Sequence, residues 1–62
     1  MYEFTFEGAV YHFESCVCQH WTATTYAPSV GKARSNLTYR FKKENGYSRS
    51  ATIHLEGNLY RN

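Results

Sequence analysis

The chain contains no aspartate. Its acidic residues are five glutamates, Glu3, Glu7, Glu14, Glu44 and Glu56, scattered along 62 positions rather than paired. A Cys–His nucleophile oriented by aspartate is therefore excluded, and no carboxylate pair is expected at a cleft. No glycine-rich phosphate loop is present. Ser29-Val30-Gly31-Lys32 has the letters of a phosphate contact without the Gly-x4-Gly-Lys-Ser/Thr spacing. No stretch approaches the roughly 20 apolar residues of a membrane helix. The opening Met1-Tyr2-Glu3-Phe4 has neither a basic nor an apolar leader segment. These absences predict a non-enzymatic protein without cofactor or membrane association, located in the cytoplasm, with Cys16 and Cys18 as reduced thiols.

Lysine and arginine are also missing from residues 1–28, which carry Glu3, Glu7 and Glu14. Residues 29–49 reverse the sign, with Lys32, Arg34, Arg40, Lys42, Lys43 and Arg49 against Glu44 alone. A formal net charge of +2 thus conceals two opposed poles. Such a basic segment can attract an acidic partner or a phosphate backbone that the whole-chain charge would not.

What the chain does have is aromatic surface: four Phe, one Trp and six Tyr. Sixty-two residues form one small domain over 1–62, and a chain of that length is marginally stable unless its core is good or a second copy helps. Tyr2, Phe4, Phe6 and Val10 alternate with Glu3, Thr5 and Glu7, the period-two pattern of a half-buried strand. A reversal at Glu14-Ser15 places Phe4 opposite Thr25, Phe6 opposite Ala23, Gly8 opposite Trp21 and Val10 opposite Gln19. Phe4, Phe6, Val10, Val17, Trp21 and Ala23 then share the core face, and Glu3, Glu7, Thr22 and Thr24 the other.

A helix follows Pro28, with Ser29 as N-cap. Val30, Ala33, Leu37 and Phe41 form its apolar stripe, the stems of Arg34 and Arg40 its borders, and Asn45-Gly46 its stop. Ala51, Ile53 and Leu55 alternate as a last strand; Gly57-Asn58 then bends the chain, and Leu59-Tyr60 is expected to extend or pair briefly before a frayed terminus. The expected fold is α+β in the order ββαβ: a three-stranded antiparallel sheet, order 2-1-3, with one helix packed on one face. The uncovered sheet face, with Tyr11 and Tyr26, and an unprotected second strand predict self-association as a symmetric homodimer.

Cys16-x-Cys18-x-His20 is the one metal-like spacing, since alternate strand residues share a face. A structural zinc site needs a second ligand pair, and His12 and His54 belong elsewhere. A small metal-binding domain is therefore a lesser alternative, and metal-independent folding is the expectation.

The helix offers more. Lys32, Asn36, Tyr39 and Lys43 lie opposite the apolar stripe, with Ser35 and Lys42 alongside and Arg40 and Arg49 nearby. Lysines suit phosphates, an asparagine a base edge, and an exposed tyrosine an unpaired base. The same side chains suit a protein partner anchored on Tyr39, Arg40 or Arg49. Every small helix also needs a charged solvent face, so the pattern alone does not require a ligand.

Residues 25–43, Thr25-Tyr26-Ala27-Pro28-Ser29-Val30-Gly31-Lys32 through Arg40-Phe41-Lys42-Lys43, together with Thr52-Ile53-His54-Leu55-Glu56-Gly57, carry a resemblance. Their pattern is similar to that of small uncharacterised accessory proteins of Firmicutes-type phages and integrative elements. The resemblance implies a mobile-element accessory that docks on a host or element protein, or alternatively a small DNA- or RNA-binding protein. It assigns no functional residue.

Overall fold

A computed structural model describes residues 1–62 as β1 (Tyr2–His12), β2 (Ser15–Ala27), α1 (Val30–Glu44) and β3 (Ile53–Arg61). The strands form one antiparallel sheet in the order β2-β1-β3, and α1 covers one face. This is the α+β, ββαβ architecture with the 2-1-3 order read from the sequence.

The hairpin keeps the expected register from Tyr2–Ala27 through Gly8–Trp21 and then departs from it. Val10 lies opposite Cys18 rather than Gln19, and Tyr11 opposite Cys16, because β2 accommodates one additional residue at each of two irregularities. Bulges of this kind let one strand carry more residues than its partner. They change which side chains reach the core: Cys18 packs against it, while Val17 is exposed. The turn falls at Phe13-Glu14, one residue earlier than Glu14-Ser15, and Phe13 takes φ 58.

The bend expected at Gly57-Asn58 does not occur. Gly57 pairs with Gly8 on β1, and a Cβ built on either would stand 2.6 Å from the other's Cα. Two glycines face to face let the backbones approach and β3 continue to Arg61. The extension carries Leu59, which packs against both halves of the core.

The larger half holds Phe6, Val10, Leu37, Phe41, Ile53 and Leu55, with Trp21 edge-on to Phe41 at 5.0 Å between ring centroids. The smaller holds Phe4, Ala27 and Ala33. Trp21 and Ala23 are half-buried, and Val30 departs from the expected core at 53% exposed. Val30 opens the first helical turn, a turn beyond Ala33, which already packs on Phe4 and Ala27 near the end of the sheet. The Ser29 side chain caps α1 by accepting from the Lys32 N–H at 3.3 Å.

The borders of the helical stripe have a second task. Asn62 N–H donates to the Glu3 carbonyl, so odd residues of β1 turn their backbone groups toward β3 and even ones toward β2. Across the ladders, Thr22, Thr24 and Tyr26 of β2, and Ile53, Leu55, Gly57, Leu59 and Arg61 of β3, therefore present theirs outward. The Arg40 guanidinium donates to the Thr24 carbonyl at 2.7 Å and the Asn36 amide to that of Tyr26 at 3.4 Å. On the other side Arg34 donates to the Leu55 carbonyl at 3.2 Å. The second strand is thus not the bare edge expected from the sequence, because the helix reaches over it.

Candidate functional site

The end of α1 builds the largest concavity of the surface. Gly46, at φ 75, reverses the chain after the Asn45 cap, and the Tyr47 N–H returns to the Lys42 carbonyl at 2.9 Å. That is the six-to-one closure of a Schellman motif, which brings the residue after the glycine onto the last helical turn. Tyr47 stacks on Phe41, centroids 6.2 Å apart and 17° between planes, and packs on His12 at 5.0 Å. Lys42 Nζ donates to the Arg49 carbonyl at 3.1 Å, holding the returning loop against the helix.

A groove of about 470 Å³ results, lined by Ser35, Thr38, Tyr39, Lys42, Lys43, Tyr47 and Arg49. No carboxylate lines it, and three cations do. Tyr39 stands on one side, 57% exposed, while Tyr47 is anchored in the core beneath. A second concavity of about 390 Å³ lies between helix and β2, lined by Thr25, Asn36, Tyr39, Arg40 and Lys43. Tyr39 and Lys43 border both.

Of the residues singled out from the sequence, Tyr39, Lys42, Lys43 and Arg49 meet in the groove, and Asn36 and Arg40 lie in the second concavity. Asn36 and Arg40 spend donors on the edge of β2. Lys32 lines neither concavity. It sits in the first helical turn, about 15 Å along the axis from Lys42 at 1.5 Å per residue. Thr38 and Tyr47 were not anticipated. Thr38 turns its hydroxyl back to the Arg34 carbonyl at 2.8 Å. Tyr47 had a signal, an aromatic residue directly after the Asn-Gly stop, where a hydrophobic contact onto the last turn commonly forms.

The structure separates the cysteine–histidine triplet. Cys16 is exposed, Cys18 leans on the core, and His20 turns to Glu7 at 3.5 Å. The two thiols donate along their own strand, Cys16 to the Cys18 carbonyl and Cys18 to that of His20. No group of three His, Cys, Asp or Glu residues comes together in metal-binding geometry.

The sheet face away from the helix has the opposite chemistry. Thr5 and Thr24 share a hydroxyl hydrogen bond of 3.1 Å, and Glu56 meets His54 at 2.9 Å. Glu3 accepts from the Tyr26 hydroxyl at 3.1 Å and from the Asn62 amide at 2.9 Å. The Tyr26 phenol is pushed above its ordinary pKa of 10.0, chiefly by that hydrogen bond and then by the Glu3 charge. No helix is long and apolar enough to cross a membrane. No protein-family model, curated protein or solved structure matches the chain.

Proposed function

We propose that this protein is a non-catalytic binding module that docks an acidic segment of a partner protein in the groove at the end of its helix. The observation that carries the reading is the lining: Lys42, Lys43 and Arg49 beside Tyr39 and Tyr47, with no carboxylate among them. A concave, aromatic-walled cationic site recognises an anionic side chain and an apolar neighbour together. Asn36, the natural base-edge reader of this helix, holds the Tyr26 carbonyl instead, which favours protein over nucleic acid. A docking accessory of a mobile element, as the resemblance implies, would need no more than this surface.

The test compares an acidic, tyrosine-containing peptide with a single-stranded oligonucleotide of equal charge, each titrated against the protein at several salt concentrations. Protein docking predicts that the peptide binds, that Tyr39→Ala removes binding, and that Lys32→Ala changes little. Preferential oligonucleotide binding, weakening steeply between about 50 and 200 mM salt and about equally with Lys42→Ala and Lys43→Ala, would replace this reading with the nucleic-acid one.

A further inference from the structure

The two edges of the sheet are guarded unequally. On β2 the outward carbonyls of Thr24 and Tyr26 are taken by Arg40 and Asn36. On β3 Arg34 takes that of Leu55, and no side chain bonds to the outward groups of Gly57, Leu59 and Arg61. These three turn both N–H and carbonyl outward from an extended, regular strand. Arg61 does not shield the edge, since its guanidinium lies over the Tyr2 ring, 4.7 Å from the centroid. Unpaired, regular edges are templates for another strand, and charged or capped ones resist it.

We propose that the second half of β3 pairs antiparallel with β3 of a second copy, joining two sheets into one of six strands across a twofold axis. The segment is self-complementary about Leu59. With Leu59 opposite Leu59 of the second copy, Gly57 falls opposite Arg61 and Arg61 opposite Gly57, and every outward donor and acceptor of the three residues finds a partner. Gly57 has no side chain to obstruct the Arg61 stem beside it. Leu59 is half-buried and faces the helix side, where a second Leu59 covers its exposed part. The strand carries only Glu56 and Arg61 as full charges, so neither lies opposite its own copy in this register. The capped Leu55 carbonyl ends the pairing, which prevents a slide toward Ile53. Such an interface is isologous and closes at two subunits, since the other edge is the guarded one.

The test is sedimentation of the whole chain from low to high micromolar concentration, with amide exchange followed at the same concentrations. A species of twice 7.2 kDa is expected, with exchange at Gly57, Leu59 and Arg61 slowing as it forms while Thr22 and Thr24 stay unchanged. Arg61→Pro removes one outward donor without touching the ladder to β1, and Leu59→Lys adds a charge at the axis. Either should return the protein to monomer, Arg61→Pro with its circular dichroism intact and Leu59→Lys with a lowered melting temperature because Leu59 packs on the core, whereas Thr22→Lys on β2 should leave the dimer in place. A wild-type chain monomeric throughout, or a dimer that protects Thr22 and Thr24 instead, would overturn the proposal. The exchange readout needs no variant and stands if a substitution unfolds the chain.

Discussion

The two faces of the sheet are made from alternate residues of the same strands, yet they follow different rules. Toward the helix, Phe6, Val10, Leu37 and Leu55 interlock, and each side chain is held by the volume of its neighbours. Away from it, Glu3 with Tyr26 and Thr5 with Thr24 share hydrogen bonds, and Glu7 and Glu56 lie beside His20 and His54 at the exposed surface. Stability therefore resides on one face of the sheet and the strands' carboxylates on the other. The cationic groove belongs to the stable side, since Tyr47 roots it in Phe41. A change beneath the helix should disturb groove and fold together, and a change on the outer face should disturb neither by much.

Breaking the inner face should have the largest effect. Leu37→Ala and Phe41→Ala should each cost about 2–5 kcal/mol, enough to unfold much of so small a domain, measured by thermal or urea denaturation. Phe41→Ala should also loosen Tyr47 and weaken peptide binding in whatever fraction stays folded. Gly57→Ala places a Cβ 2.5 Å from the Glu7 carbonyl oxygen, among backbone atoms that cannot step aside. A loss of about 1–3 kcal/mol is expected from such overpacking. Arg40→Ala should cost about 1 kcal/mol, the net value of one hydrogen bond, and it uncovers the β2 edge. The measurable consequence is faster amide exchange at Ala23 and Thr25, whose N–H groups bond across to β1 on either side of Thr24.

The outer face should show the smallest effects. Glu7→Gln removes only the exposed partner of His20, and denaturation should move by less than about 1 kcal/mol. Glu3→Gln should bring the Tyr26 phenol back down toward 10.0, followed by its ultraviolet titration. Because folding raises that pKa, the hydrogen bond contributes stability in full below the unfolded value of 10.0, and the contribution is lost as pH rises through the raised one. A sizeable loss of stability in either glutamate variant would show that the outer face supports the fold after all.

Much of this division was legible from residue spacing. The helix with Ser29 and Asn45-Gly46 at its ends, the strands and their order follow from caps and periodicity, which are local signals. The bulges in β2 were not legible, because Gln19, His20 and Val17 carry no glycine or other mark of an additional residue. They reassign Cys18 and Val17 between faces. Gly57 was read as a bend because glycine permits one, and only the knowledge that Gly8 lies opposite shows it as a close approach. Arg34 and Arg40 were placed correctly at the borders of the stripe, but their backbone partners belong to strands remote in sequence. Within the site, Tyr39, Lys42 and Lys43 followed from the wheel and Arg49 from the basic segment, whereas Tyr47 depended on how the chain turns back after Gly46.

The glycine pair also bears on how the chain finds its fold. β3 joins β1 only after the hairpin and helix have been traversed, so it arrives as the distant partner in a search among possible alignments. Hydrogen bonds alone score a shift of two residues nearly as well, because they repeat with that period. Gly8 against Gly57 breaks the degeneracy, since any other residue of β3 would bring a Cβ into a gap that holds none. A side chain that is missing twice, at one crossing, therefore acts as the keyway of the assembly: the last strand seats fully in a single alignment and is rejected in its neighbours.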